Sequence, residues 1–165
     1  MIISRRDWRS SREKLESLFL ASFGRPLPPG YLDWRYFDNN QEQLWFSIEM
    51  DNFDPVASYS AFPVDLVVDG TTCRTAMSMT TMTHPNWRGK GLFPKLAREL
   101  YTEMETAGIS AVWGFPNVNS HPQFNGKLGW RDIYEIPTMT LDLAKMGESR
   151  FSADAAVGEI GRAHV

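Results

Sequence analysis

The run Arg88-Gly89-Lys90-Gly91-Leu92-Phe93 packs two cations and two glycines into four positions and then turns apolar. Glycines let a backbone approach an anion without a side chain between them, and the cations add formal charge at the same place. A helix starting at about Leu92 would add its unpaired first N–H groups and the positive end of its dipole, so the run is suited to phosphate oxygens, a pyrophosphate above all. It is not a Gly-Lys-Ser/Thr phosphate loop, because no Ser or Thr follows Lys90. Nor is it a dinucleotide fingerprint, which needs a third glycine and a ribose-binding acid.

Other chemistry is sparse. His84, His121 and His164 are far apart and have no cysteine or paired-histidine spacing around them, so no metal site is predicted. There is no Gly-x-Ser-x-Gly elbow. The single cysteine, Cys73, excludes an intramolecular disulfide and reads as a half-buried small residue of a strand in a reducing compartment.

The elements that must position the turn are legible on both sides of it. Ala76 to Thr83 mixes apolar and β-branched residues without charge, Gly or Pro, and predicts a strand. Met77 and Met79 share one parity and Met82 takes the other, which one extra residue around Thr80-Thr81, a bulge, would reconcile. Leu92, Phe93, Leu96, Ala97, Leu100 and Met104 recur at helical spacing, with Lys95, Arg98, Glu99 and Glu103 opposite and Pro94 in the first turn. Ala107-Gly108 ends that helix.

The stretch Thr83-His84-Pro85-Asn86-Trp87-Arg88-Gly89-Lys90-Gly91-Leu92 resembles the acyl-CoA-binding motif of the GNAT acyltransferase superfamily, whose pattern is Arg or Gln, two residues, Gly, one residue, then Gly or Ala. Arg88 and Gly91 match, and Phe93 departs from the pattern. Val112-Trp113-Gly114-Phe115-Pro116-Asn117, Ser120, Phe124 and Lys127-Leu128-Gly129-Trp130 look like the family's next strand and following helix. The resemblance spans about residues 10 to 143. It implies an α/β fold of the α+β type, with a mixed, mostly antiparallel sheet, a central splayed parallel strand pair and flanking helices. It also implies an N-acyltransferase that moves an acetyl or other short acyl group from acyl-CoA to a primary amine by direct transfer in a ternary complex. The co-substrate would be acetyl-CoA, with the backbone of Met82 and Thr83 pairing with the pantetheine arm. Arg88, Gly89, Lys90, Gly91, Leu92 and Phe93 would hold the pyrophosphate, and Asn119 and Ser120 would bond the CoA amides or the acceptor.

Acid and base are not signed in the same way. Many relatives carry a carboxylate on the central strand and a Tyr after the second parallel strand; here residues 76–83 hold no acid, and the Tyr position is Asn125. His84 stands at the strand's end, and an imidazole can serve as acid or base, though a solvated turn histidine before Pro85 reads the same way. Glu49, Tyr134 and Glu135 lie on predicted strands flanking an acceptor cleft, with His121 and Asn119 beside it. Catalysis could then rest on His84, Asn119, Glu49 or Tyr134, or on alignment alone, which is worth roughly 7–11 kcal/mol. The missing acid keeps a second reading open, a non-catalytic acyl-CoA-binding or regulatory module of the same fold.

Composition sets the frame. At 165 residues and 42% hydrophobic content, the chain is long enough for one sizeable core and too short for two ordinary domains. A net charge of −3 argues against a nucleic-acid surface, although Arg-Gly-Lys-Gly-Leu-Phe is faintly similar to an RNA-binding sheet motif. The basic start, Met1 to Arg6, leads into no apolar leader, and no run reaches membrane-spanning length. A cytoplasmic enzyme is expected, with a small-molecule amine acceptor such as an amino sugar, no nucleic-acid or membrane partner, and room for a homodimer.

The rest of the chain supplies the scaffold. A capping box at Ser10-Ser11-Arg12-Glu13 opens a helix burying Leu15, Leu18, Phe19 and Phe23 and stopped by Gly24. Tyr31 to Phe37 is a short aromatic helix ending at Asn39-Asn40. Strands are expected at 44–50, 56–62 and 64–68, then a primed hairpin turn at Asp69-Gly70 and a parallel strand at 110–115. A helix over 123–128 capped by Gly129 and a long strand from Trp130 to Leu143 follow. The domain is expected to cover 1–143, with a loosely packed tail over 144–165, helical near 153–161.

Overall fold

The computed structural model describes residues 12–36 and 44–137. The first compact unit ends at Arg131 and the second begins at Asp132. The capping serines, the end of the second helix, the strand beyond Pro137, the domain boundary at 143 and the tail lie outside the described residues.

In the first unit the order is α1 (Arg12–Phe23), α2 (Tyr31–Tyr36), β1 (Trp45–Asp51), β2 (Asp54–Val68), β3 (Thr71–Thr83), α3 (Leu92–Thr106), β4 (Ala111–Trp113) and α4 (His121–Leu128). The four strands form one mixed sheet in the order β1-β2-β3-β4. The first three run antiparallel; β4 lies parallel to β3 through Thr75 with Ala111, Ala76 with Val112 and Met77 with Trp113. Asp69 and Gly70 both have positive φ, as the predicted primed turn requires.

Alternation along the strands sorts side chains into two cores. Leu15, Leu18 and Phe19 of α1 and Leu32 and Tyr36 of α2 pack on Phe46, Ile48, Phe62, Met79 and Met82. On the other face Leu96, Ala97, Leu100 and Met104 of α3 and Phe124 of α4 meet Trp45, Tyr59, Ala61 and Ala76. The predicted bulge is present. Ser58 pairs with Met82 and Ser60 with Met79, so one residue of β2 opposes two of β3, and Thr80 takes φ +45°. The extra residue returns Met82 to the core that holds Met79. The buried Ser60 hydroxyl donates to the Met79 carbonyl at 2.8 Å, satisfying an acceptor at the bulge.

Several expectations need correction. The second and third predicted strands are one, because Pro63 sits just past Ala61, where β1's pairing ends, and its missing N–H costs no ladder bond there. Phe23 is 43% exposed and not buried. The parallel strand is shorter than 110–115, and α4 begins at His121, earlier than Gln123. Residues 130–137 form no strand.

Replacing Ser60 with Ala strands the Met79 carbonyl in the core. A loss of about 1–3 kcal/mol in urea unfolding is expected, against no change for an exposed control such as Ser17→Ala.

Candidate functional site

Between β3 and the turn the chain makes a 3₁₀ turn, Pro85–Trp87, which the His84 side chain caps: its Nδ1 accepts from the Asn86 N–H at 3.3 Å. The His84 amide donates to Val56 at 2.9 Å, fixing the turn to the sheet. Gly89 and Gly91 then adopt φ +76° and +75°, and a Cβ at either would meet nothing within 4 Å. The conformation, and not crowding by the protein, is what requires glycine at both positions.

Among the described residues, the amides of Gly89, Lys90, Gly91, Leu92 and Phe93 donate to no backbone carbonyl; the helical ladder opens with Lys95 N–H to Gly91 O at 3.2 Å. Five successive N–H groups thus stand disengaged at the positive end of a fifteen-residue helix. That is the arrangement a pyrophosphate needs, so the turn fits the diphosphate of an acyl-CoA. The cations at the turn divide the work. Arg88 donates from Nη2 to the Ser22 carbonyl at 2.8 Å and from Nε to the Thr83 carbonyl at 3.4 Å, tying α1 and the end of β3 to the turn while leaving its charge there. Lys90 lies 3.9 Å over the Trp87 ring. Phe93, the departure from the family pattern, turns into the second core against Tyr59 and Phe124 at centroid distances of 5.9 and 4.9 Å.

Pairing of β3 with β4 stops at Met77 and Trp113, and beyond it a cleft of about 230 Å³ opens. Ser78, Thr80 and Thr81 line one side, and Gly114, Asn117 and Ser120 line the other. At the apex the strands are so close that a Cβ on Gly114 would come within 3.1 Å of the Ser78 carbonyl oxygen. Phe23, Phe115, Phe124 and Trp130 supply aromatic walls.

Not all predicted residues converge here. Ser120 lines the cleft; Asn119 does not, its amide donating to the Asn117 side chain at 3.0 Å. Met82 is buried in the first core and Thr83 pairs with Ala57, so what they offer toward the turn is backbone. Glu49 is engaged with Lys95, Oε2 to Nζ at 2.7 Å, and this contact raises the lysine pKa. Asn125 hydrogen-bonds His121 at 3.3 Å. Tyr134 belongs to the second unit, on a segment without regular structure.

The sequence reading missed Ser78, Phe23 and the organising role of Asn117, whose side chain accepts from the amides of Asn119 and Ser120 while its own amide donates to Ser120 Oγ at 3.1 Å. An Asn two residues before another polar turn residue is an Asx-turn signal that could have found it.

The comparisons agree with this geometry. Residues 9–133 match the family model described as the acetyltransferase (GNAT) domain, and the chain belongs to that family of acetyltransferases. It is similar in structure to a transcriptional regulator from Bacillus halodurans C-125 (TM-score 0.68, 12% identity, 86% of this chain and 97% of that one). It is also similar to the aminoglycoside 6'-N-acetyltransferase AAC(6')-IG of Acinetobacter haemolyticus (TM-score 0.65, 14% identity, 85% and 95%). A third likeness is to glucosamine-6-phosphate N-acetyltransferase from Arabidopsis thaliana (TM-score 0.61, 13% identity, 79% and 93%). No curated protein matches the sequence. Among the described residues no group of His, Cys, Asp and Glu is placed to hold a metal, and no helix is long and apolar enough to cross a membrane.

Two outcomes follow. Gly91→Glu forces a side chain into a left-handed position and sets a carboxylate at the helix start, so calorimetry should show acetyl-CoA affinity at least about tenfold weaker, or ~1.4 kcal/mol. Gly108→Glu, with similar strain at φ +82° beyond the far end of α3, should leave affinity unchanged. Burial holds the Tyr59 pKa above its ordinary 10.0, so the folded state favours the neutral phenol. This contribution is complete below pH 10 and is lost as pH rises above it. Stability followed by chemical denaturation should fall above pH 10, and less steeply in Tyr59→Phe.

Proposed function

We propose that the protein moves an acetyl or other short acyl group from acyl-CoA to a primary amine of a small molecule, by direct transfer with both substrates bound. The observation that carries the reading is the set of five disengaged amides from Gly89 to Phe93, at a helix start that follows directly from a strand diverging from its parallel neighbour. The pyrophosphate rests on those amides with Lys90 and the Arg88 charge beside it. The pantetheine arm runs along the Met82-Thr83 backbone, and the thioester enters the cleft past Thr81 and Thr80, with Ser120 and Asn117 across from it.

The acceptor is a small amine. Support comes from the similar structures whose names give aminoglycosides and glucosamine 6-phosphate as substrates, both of which offer amines. None of His84, Asn119, Glu49 and Tyr134 lines the described cleft, which supports transfer driven first by alignment, an effect worth roughly 7–11 kcal/mol. Of the four, His84 keeps Nε2 outside its capping bond and is the base we favour at the end of β3. The reaction takes place in the cytoplasm, where acyl-CoA is available.

Calorimetric titration with acetyl-CoA should show micromolar binding. Thiol release should then exceed hydrolysis for at least one amine of a panel that includes glucosamine 6-phosphate and an aminoglycoside. Affinity without turnover over the whole panel would instead establish the binding module.

A further inference from the structure

Among the described residues, none that lines the cleft carries a charge. Its polar groups are the hydroxyls of Ser78, Thr80, Thr81 and Ser120 and the amide of Asn117, and the other side chains are aromatic or apolar. The loop after β4 also turns much of its polarity on itself. The Asn117 side chain accepts from the amides of Asn119 and Ser120 at 3.0 and 3.1 Å, and Ser120 Oγ accepts from the Asn117 amide at 3.1 Å. An acceptor bringing a second ammonium or a phosphate group would give up water there and meet no opposite charge, which is costly.

Two of the aromatic walls stand at the open side of the cleft. Phe124 is 4% exposed and belongs to the second core, whereas Phe23 at the end of α1 is 43% exposed and Phe115 just past β4 is 68% exposed. Each of these two rings is steadied by another: Phe19 lies 4.5 Å from Phe23 between centroids, and Trp113 stands edge-on to Phe115 at 5.8 Å. Rings left open to solvent where they line a cleft mark a place for an apolar ligand. Phe23 comes from α1, while the other lining residues come from β3 and the chain after it. Arg88 holds that end of α1, donating from Nη2 to the carbonyl of Ser22, the residue before Phe23, at 2.8 Å.

We propose that the acceptor is a primary amine on a flat, uncharged aromatic body, an arylalkylamine, which Phe23 and Phe115 select, and that Arg88 is a positioning residue for Phe23. The inference rests on acyl transfer in this cleft and narrows the small-amine acceptor to a class with no charge besides its reacting nitrogen. The neutral nitrogen forms a bond to the thioester carbonyl carbon, the C–S bond breaks, and the departing thiolate takes up the proton that the nitrogen releases. The aromatic body stays against the two phenylalanine rings, where apolar contact replaces the countercharge that an amino sugar would need.

The test is steady-state thiol release at saturating acetyl-CoA with phenethylamine, butylamine, glucosamine 6-phosphate and an aminoglycoside. In the native protein kcat/KM should be at least about tenfold higher for phenethylamine than for butylamine, and higher than for either sugar. Phe23→Ala and Phe115→Ala should each bring the phenethylamine-to-butylamine ratio toward unity; as a ratio within one preparation it does not depend on the fraction folded. Arg88→Ala should lower the ratio in the native background and leave it unmoved in Phe23→Ala, while a cation that serves only the phosphates moves the acetyl-CoA KM and not the ratio. A native ratio near unity, or a faster reaction with either sugar, overturns the acceptor class. A ratio unchanged in Phe23→Ala or Phe115→Ala overturns the role of that residue. A ratio unchanged in Arg88→Ala, or lowered equally in the Phe23→Ala background, overturns the positioning role. No release above hydrolysis with any amine overturns acyl transfer itself, an outcome separate from release that favours a sugar.

Discussion

One extra residue in β3 governs the geometry of this protein. Thr80, a β-branched residue at φ +45°, sits in a region such residues rarely enter, and the surrounding structure must hold it there. The Ser60 hydroxyl binds the carbonyl of the preceding Met79, and the buried Tyr36 hydroxyl is set among Ser60 and Thr80. With the bulge in place, Met79 and Met82 both reach the core under α1 and α2. A regular strand would turn one of them to the other face. A bulge also bends and twists its strand, so the device that reconciles the packing lies in the stretch of β3 that lines the cleft.

The short parallel seam between β3 and β4 depends on side chains as well as backbone. Only three residue pairs join the strands, and the Trp113 indole adds a bond to Thr75 Oγ1 at 2.9 Å, whose hydroxyl in turn donates to the Val64 carbonyl on β2. Three strands are thereby stitched below the point of divergence. Above it Gly114 lets the backbones stay close, and the chain then turns away through the Asn117 loop into α4. Arg88 closes the other end by joining the Ser22 and Thr83 carbonyls, so α1, the end of β3 and the start of α3 are held by one guanidinium. Its role is as much structural as electrostatic.

The second core carries polarity where a sheet-and-helix interface is ordinarily apolar. Tyr59, Tyr101 and Trp130 form a connected set of donors and acceptors among Phe93, Phe124 and the aliphatic face of α3. Phe93, which departs from the acyl-CoA-binding pattern, belongs to that set's aromatic enclosure. Its bulk is spent on the interior and leaves the amides at the helix start uncovered.

The chain itself declares the glycine turn, the helix from Leu92, the methionine parity break and the primed turn at Asp69-Gly70. Each of these is a local matter: φ sign, side-chain period and capping are set by neighbours a few residues apart. The strand through Pro63 was not legible, because a missing N–H matters only if another strand reaches it, and β1's pairing stops at Ala61. Phe23 shows the same limit: its helical spacing marks it as core, while only the docking of α1 beside β3 makes it a wall of the cleft. Residues of ordinary type, Ser78 among them, gain a role from contacts spanning tens of residues in sequence. Local spacing therefore determined where the glycine turn and the start of α3 fall, and tertiary packing alone decided which side chains line the cleft.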